Sequence, residues 1–401
     1  MTQASRSCRC GPVLAAGAIL LTAGLAGCVT VGAPQQIADL KVGKDYEGAV
    51  QNIAFDAAGV PWLATRSTLY HVQGGTPGVQ DSTREKYDWI ALAPRGGVYA
   101  RLHAISGGLY TIELYETSTK PIAELRLTGS PIGFSGIYLG GAGDLIVTVK
   151  ALDSREALGG RFQYVFWSKS GQFLSQVTLD GPRMIVMDVN GEALLFLGRK
   201  DALAFDKQGK QLWKLDGWFR NAALGEHGNT ALLDPQADNV MQQVHIFRGG
   251  KSTTVTMQSP IHSLALTADG STGAVAAKDE VFFISPKKCG SSSCRPRAAP
   301  ALPVAGTFLV TEIRFVNEKL LAVGVIQRVG DKEPHTFPAG AVLVLKASSR
   351  VVNTSSPAVL FNQRIELEQP ATWAPILDVS YGARSFAAHT PHRAIIVSVA
   401  P

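Results

Sequence analysis

The chain has 401 residues, of which 46% are hydrophobic and 17% are charged, and its formal net charge is +6. This composition excludes a disordered chain and is ample for a large buried core. The modest charge permits attraction to acidic partners or anionic head groups. It does not provide the strongly basic surface that nucleic acid requires, so no nucleic-acid partner is predicted.

The first 28 residues have the composition of a secretory leader. A polar start with Arg6 and Arg9 precedes the apolar run "PVLAAGAILLTAGLA", which is too short to span a bilayer comfortably. The run ends in Leu-Ala-Gly-Cys, residues 25–28, and this ending resembles the lipobox of bacterial lipoprotein signals. The resemblance implies acylation of Cys28, with palmitate or a similar chain, and Val29 after it is typical of outer-membrane sorting. The alternative is an ordinary signal peptide with an unrelated cysteine.

This reading divides the chain into a signal peptide (1–27), a lipidated tether (28–34) and a globular domain (35–401). Removal of Arg6 and Arg9 lowers the formal net charge from +6 to +4. No later segment has the length and apolarity of a transmembrane helix. We therefore expect a monomeric body in the periplasm, held to the outer membrane by its lipid.

Two cysteines remain in the domain, Cys289 and Cys294, within "KKCGSSSCRPR". An even pair in an oxidising compartment predicts a local disulfide. A metal site would need two further ligands, and no other cysteine or nearby histidine supplies them. The loop is also the most basic in the chain, which is typical of a solvated loop or of a contact with an anion or head group.

An internal repeat then governs the rest of the sequence. Each unit begins with an aliphatic residue, turns at position seven and returns through a second apolar run. Glycine occupies position seven in the first six units, where a tight reversal needs a positive φ. The units begin at residues 53, 90, 137, 185, 222, 264, 313 and 377.

The spacing of these hairpins leaves room for two further strands in each unit. Four strands repeated at this period predict an all-β fold, a β-propeller of eight blades, or of seven if a weak last unit is not counted. The eighth unit has only three strands, whereas an extra strand, "QQIADLKV" (35–42), precedes the first. We therefore expect the N-terminal strand to complete the last blade and close the ring.

Three connections between the second and third strands are long and polar, at 150–161, 234–242 and 327–339. Elaborated loops on one face of a rigid scaffold commonly carry binding, although insertions are also tolerated at little cost. The basic disulfide loop is expected on the opposite face. The candidate partner-binding residues in the long loops are Leu152, Arg155, Leu158, Asp238, Met241, Arg328, Lys332 and Phe337.

Catalytic signatures are absent from the sequence, including nucleophile elbows, zinc-protease motifs and phosphate-binding loops. Asp56, Asp188 and Asp206 each precede a glycine by three residues, a spacing that predicts turn formation rather than catalysis. One stretch, "AFDKQGKQLWKLDG" from Ala204, resembles the repeat of WD-like and quinoprotein propellers. Its Trp213 is interpreted as a blade-packing residue, and no cofactor or metal is predicted.

These observations favour a non-catalytic function. The combination of lipobox and eight blades is similar in outline to the propeller lipoprotein of the outer-membrane barrel-assembly machinery. The leading prediction is an interaction scaffold that docks onto envelope proteins. The alternatives are a periplasmic propeller enzyme, of hydrolase, lactonase or quinoprotein type, and a module that binds small ligands or glycans.

Overall fold

The structure is a computed structural model. No helix in the part it describes is long and apolar enough to cross a membrane. The predicted leader, Cys28 and the tether up to residue 33 lie outside it. The described ranges are 34–41, 49–65, 68–73, 76–82, 89–105, 109–116, 120–128, 134–152, 160–188, 190–236, 242–289, 294–327, 339–347, 359–366, 375–382 and 385–399.

Within these described ranges, thirty-two strands form eight four-stranded antiparallel sheets, and the first strand, β1 (Gln35–Lys41), belongs to the last of them. Blade 1 contains β2 (Val50–Phe55), β3 (Pro61–Thr65), β4 (Thr68–Gln73) and β5 (Thr76–Ser82). Blade 2 contains β6 (Trp89–Leu92), β7 (Tyr99–Ile105), β8 (Leu109–Tyr115) and β9 (Ala123–Thr128). Blade 3 contains β10 (Phe134–Gly140), β11 (Leu145–Ala151), β12 (Arg161–Ser168) and β13 (Phe173–Asp180). Blade 4 contains β14 (Met184–Met187), β15 (Ala193–Leu197), β16 (Asp201–Asp206) and β17 (Gln211–Asp216).

The second half of the ring repeats the same plan, with single 3-10 turns at Glu226–Gly228 and Pro286–Lys288. Blade 5 contains β18 (Phe219–Leu224), β19 (Thr230–Pro235), β20 (Gln242–Arg248) and β21 (Lys251–Met257). Blade 6 contains β22 (Ile261–Leu266), β23 (Gly273–Ala277), β24 (Glu280–Ile284) and β25 (Arg297–Ala298). Blade 7 contains β26 (Phe308–Asn317), β27 (Leu320–Gln327), β28 (Ala339–Lys346) and β29 (Val359–Glu366). Blade 8 contains β30 (Ile376–Val379), β31 (Ser385–His389), β32 (Arg393–Ser398) and β1.

The blade count and the mode of ring closure are both as predicted. In every blade the strands run from the axis outward in the order A, B, C, D, and the A strands contact one another at most of the junctions between neighbouring blades. β1 pairs antiparallel with β32, from Gln35 opposite Ser398 to Lys41 opposite Arg393. The eight-blade prediction is therefore confirmed, and the N-terminal strand is strand D of blade 8.

Local turn chemistry explains why the repeat forms hairpins. The glycines at position seven of the first six units all have positive φ, from 62° at Gly96 to 84° at Gly143. Asp56, Asp188 and Asp206 each accept backbone N–H bonds through Oδ1, for example from Ala58 at 2.9 Å. These aspartates act as turn residues, as their spacing predicts.

The core is divided into eight hydrophobic clusters, one at each junction between neighbouring blades. Because the buried faces of two sheets meet at each junction, B strands such as β15 and β23 are buried along their whole length. Members from the two sides include Phe55 and Ile396, Trp62 and Tyr99, Leu114 and Ile146, Phe166 and Phe196, Leu195 and Leu233, Ile246 and Val275, Phe283 and Leu343, and Val344 and Phe386.

The strand order defines two faces of the ring. We call the face formed by the A–B and C–D turns the lower face, and the face formed by the B–C turns and D–A connections the upper face. β1 begins at the lower face, because Gln35 lies opposite Ser398 at the end of β32. The chain therefore enters the propeller from the lower face.

The junction between blades 8 and 1 contains a buried ion pair. His389 Nε2 lies 3.0 Å from Asp378 Oδ2, which also accepts the Ile53 amide of blade 1 at 2.6 Å. Burial lowers the pKa of His389, but Asp378 outweighs it, with help from the Thr390 carbonyl and from Glu312, so the net pKa is raised. Protonated His389 therefore stabilises the seam at which the ring closes.

Candidate functional site

The predicted partner-binding residues belong to B–C connections, whose described ends lie at the upper face. Leu152 is described, and its side chain is 39% exposed at the end of strand B in blade 3. The others lie outside the described residues, namely Arg155, Leu158, Asp238, Met241, Arg328, Lys332 and Phe337. Their role as contacts remains a prediction.

The upper face carries exposed apolar side chains that the sequence analysis did not identify. Trp218 is 46% exposed in the D–A connection before β18. Met184, 44% exposed, and Ile376, 38% exposed, are the first residues of the A strands in blades 4 and 8. Together with Leu152 these side chains give the upper face four exposed apolar positions. The other large exposed apolar residues are on outer strands or lower-face turns, and they are Ile37, Val79, Ile122, Phe173, Leu174 and Leu212.

Polar contacts hold the backbone around Trp218 and Met184. The Arg183 guanidinium forms an ion pair with Asp201 across the connection into blade 4. In blade 5, Arg220 Nε donates to buried Asp234 at 2.6 Å, and burial raises the pKa of that carboxyl more than Arg220 lowers it. Exposed apolar side chains beside fixed polar contacts are typical of a protein-binding surface.

The lower face has a different chemical character at its inner edge. The A–B turns of four consecutive blades each contribute a carboxylate near the axis. These carboxylates belong to Glu192, Glu226, Asp269 and Glu318. They occupy positions five to eight of the hairpin units, so the repeat alignment contains a signal from which they could be found.

Glu192, Glu226 and His227 converge at the junction of blades 4 and 5, with one potential ligand atom from each within 4.8 Å of the others. His227 Nδ1 lies 2.7 Å from Glu192, and Nε2 lies 3.8 Å from Glu226. Asn190 Nδ2 donates to Glu226 at 2.6 Å, and buried Asp188 accepts the His227 amide at 3.2 Å. The His227 backbone is left-handed, with φ 58°. Carboxylate and imidazole ligands suit a divalent metal such as Zn²⁺, whereas the short contact between His227 and Glu192 also suits a hydrogen bond that joins the turns of blades 4 and 5.

A second group of acids lies further round the same face. Tyr381 Oη donates to Glu318, and the carboxyl group of Asp269 lies close to that of Glu318. Burial raises the pKa of Glu318, and the adjacent Asp269 raises it further. Burial also raises the pKa of Tyr381, and its bond to Glu318 adds to this. Burial and the neighbouring Asp269 both disfavour the charged form of Glu318.

Two cavities open near these groups. One of about 560 Å³ lies between the A–B and C–D turns of blade 5 and the A–B turn of blade 6, and its lining includes Glu226, His227, Arg248, Lys251 and Asp269. The other, of about 200 Å³, follows the axis between the A strands. Small-molecule sites occupy roughly 300–1,000 Å³. The first cavity is therefore large enough for a small polar ligand.

The structure brings Cys289 and Cys294 together as predicted. Their sulfur atoms are at disulfide distance and their Cα atoms are 4.4 Å apart. Cys289 is buried and packs with Cys294 against the core between blades 5 and 6. The basic loop is therefore fixed to the lower face.

Trp213 has the packing role predicted for it. Its ring stacks on Phe247 of blade 5, with centroids 4.1 Å apart, and its Nε1 donates to the Gly228 carbonyl at 2.6 Å. The tryptophan therefore joins blade 4 to blade 5.

The fold defines the chain as an eight-bladed β-propeller. No protein-family model and no curated protein matches it. Among solved structures, Kluyveromyces lactis Hsv2p is 10% identical and covers 79% of this chain and 99% of its own, with a TM-score of 0.47. Kluyveromyces marxianus Hsv2 is 10% identical and covers 80% of this chain and 99% of its own, with a TM-score of 0.46. A chain of the mitotic checkpoint complex is 12% identical and covers 78% of this chain and 95% of its own, with a TM-score of 0.44. The assignment to the propellers rests on the eight sheets and their ring closure.

Proposed function

We propose that this propeller is a lipid-anchored scaffold of the outer membrane that binds an envelope protein through its upper face. The observation that carries the proposal is the set of exposed apolar side chains there, Leu152, Met184, Trp218 and Ile376. Interface centres are rich in aromatic residues and methionine. A half-exposed tryptophan among fixed ion pairs is a suitable anchor for a partner.

Site-specific photocrosslinking tests the partner-binding face. A photoreactive amino acid at Trp218 is expected to give a discrete crosslinked protein in intact envelopes. The matched control places the same probe at Phe173, which is 52% exposed but lies on the outer strand β13. Equal crosslinking from both positions, or from position 173 alone, would contradict the proposal.

Cell fractionation tests the anchor separately. The proposal of a lipid at Cys28 rests on the lipobox resemblance of residues 25–28. Cys28→Ser is expected to move the protein from the membrane fraction into the soluble periplasm, with folding unchanged. Membrane association that persists in this variant would remove the lipoprotein interpretation and leave the upper-face proposal intact.

A second candidate function rests on the lower face. Convergence of Glu192, Glu226 and His227 beside a cavity of about 560 Å³ favours a metal-dependent enzyme or ligand-binding module. Calorimetric titration with Zn²⁺ tests this candidate directly. One binding event in the parent that disappears in Glu192→Gln and His227→Gln supports a metal site. No binding in the parent excludes it.

A further inference from the structure

Positive charge is concentrated on one part of the lower face, outside the acidic inner edge. Five exposed cations occupy the C–D turns of three consecutive blades and form no ion pair in the part of the chain that the structure describes. We call this set the basic rim, and it consists of Lys210, Arg248, Lys251, Lys287 and Arg295. We propose that the basic rim binds the surface of an anionic lipid bilayer and holds the propeller with its lower face against the membrane.

The charge distribution distinguishes the rim from the rest of the ring. The described C–D turn residues of blades 4 to 6 contain one acid, Asp206, whose Oδ1 already accepts two turn amides. The B–C turns of blades 4 and 6, on the upper face, mix both signs, as in the exposed run Lys278, Asp279 and Glu280. A cluster of positive charges on one face attracts an anionic surface, whereas a face with charges of both signs does not.

The acidic inner edge offsets this attraction only in part. In blades 4 to 6 it contributes the three carboxylates of Glu192, Glu226 and Asp269, whereas the basic rim contributes five cations. Glu226 and Asp269 line the same cavity as Arg248 and Lys251, and neutral donors hold them in place: Asn190 Nδ2 for Glu226, and the Ser271 amide for Asp269 at 2.8 Å. The rim cations form no ion pair in the described chain, so an excess of positive charge remains available to a ligand.

The path of the chain points to the same face. β1 starts at the lower face, so Pro34, the first described residue, lies at that face. The six peptide steps from Cys28 to Pro34 reach at most about 20 Å when extended. This part of the inference rests on the proposed lipid anchor. A lipid at Cys28 would hold the lower face close to the head groups and leave the upper face directed away from the membrane.

Vesicle flotation of an unlipidated fragment, residues 34–401, tests the rim without the anchor. This fragment contains every described strand and all eight inter-blade clusters. It is expected to bind vesicles of phosphatidylglycerol and phosphatidylethanolamine, to ignore pure phosphatidylcholine, and to be released by salt. Removing three rim charges, with Arg248→Gln, Lys251→Gln and Lys287→Gln, should weaken binding about a hundredfold, since each cation contributes about fivefold.

The matched control removes the same charge from the upper face. Arg199→Gln, Lys200→Gln and Lys278→Gln alter exposed cations in B–C turns and should leave vesicle binding within about twofold of the parent. Circular dichroism and thermal melts establish that both triple variants are folded. The proposal is overturned if the parent fragment does not bind anionic vesicles, if both triple variants lose binding equally, or if polyglutamate or DNA binds more tightly than the vesicles. Failure of Cys28→Ser to release the protein would affect the anchor and leave this measurement unchanged.

Discussion

Ring closure by β1 makes the stability of the whole propeller sensitive to one leucine near the N-terminus. Leu40 is 3% exposed and packs with Val50, Ile53 and Ile396 across the seam between blades 8 and 1. Replacing a buried leucine with alanine costs about 2–5 kcal/mol. Because β1 is the outermost strand of its blade, the cavity can partly collapse, and we expect Leu40→Ala to lower the free energy of unfolding by about 2–3 kcal/mol.

Ile37 provides the matched control on the same strand. Its side chain is 54% exposed, so Ile37→Ala should change the free energy of unfolding by less than about 0.5 kcal/mol. Urea titration followed by tryptophan fluorescence measures both variants against the parent. Equal shifts in the two midpoints would refute the reasoning, because the seam would then not depend on the buried face of β1.

Three further predictions concern other parts of the ring. Gly191→Ala places a methyl group against the Gly141 backbone and should lower the free energy of unfolding, measured by urea titration, by at least about 3 kcal/mol. Gly59 has a similar positive φ but open space around it, so Gly59→Ala should lower the free energy of unfolding by about 1 kcal/mol. Equal losses in the two variants would contradict the close approach of blades 3 and 4. Since the pKa of His389 is raised, its ion pair stabilises the fold below the ordinary histidine pKa and loses this contribution as pH rises through the raised value. The melting temperature of the parent should therefore fall between pH 6 and pH 9 more steeply than that of His389→Gln, and identical slopes would count against the seam ion pair. Reductant should lower the melting temperature of the parent by an amount equivalent to about 2 kcal/mol of unfolding free energy. The melting temperature of Cys294→Ser should not respond to reductant. An equal response of both proteins would show that this disulfide contributes no stability.

Much of the architecture was predictable because it is encoded locally. Each hairpin carries its own alternation and its own turn glycine, so residues such as Gly143 and Asp188 specify a turn without reference to distant parts of the chain. The three-stranded last unit and the extra strand before the first complete each other only in a closed ring. The eight blades, the role of β1 and the packing role of Trp213 could therefore be predicted from the sequence.

The candidate sites were less predictable because they depend on neighbours in space. Glu192 and His227 lie 2.7 Å apart only because blades 4 and 5 are adjacent, and the Ile53 amide meets Asp378 across a separation of 325 residues. The hydrophobic pattern of the sequence marks tryptophan as apolar, so it does not show that Trp218 is exposed. The long B–C loops could be located by their length and polarity, but their contacts depend on a partner surface.

The composite eighth blade also determines when the protein can finish folding during synthesis. β1 is the first described strand to leave the ribosome, and its partner β32 begins at Arg393. Until then β1 is an unpaired edge, and blades 1 to 7 can form only an open arc with an exposed strand at each end. Such edges are sites of intermolecular pairing in folding intermediates. A chain that ends before residue 393 is therefore expected to be aggregation-prone, even though it lacks less than a fortieth of the sequence.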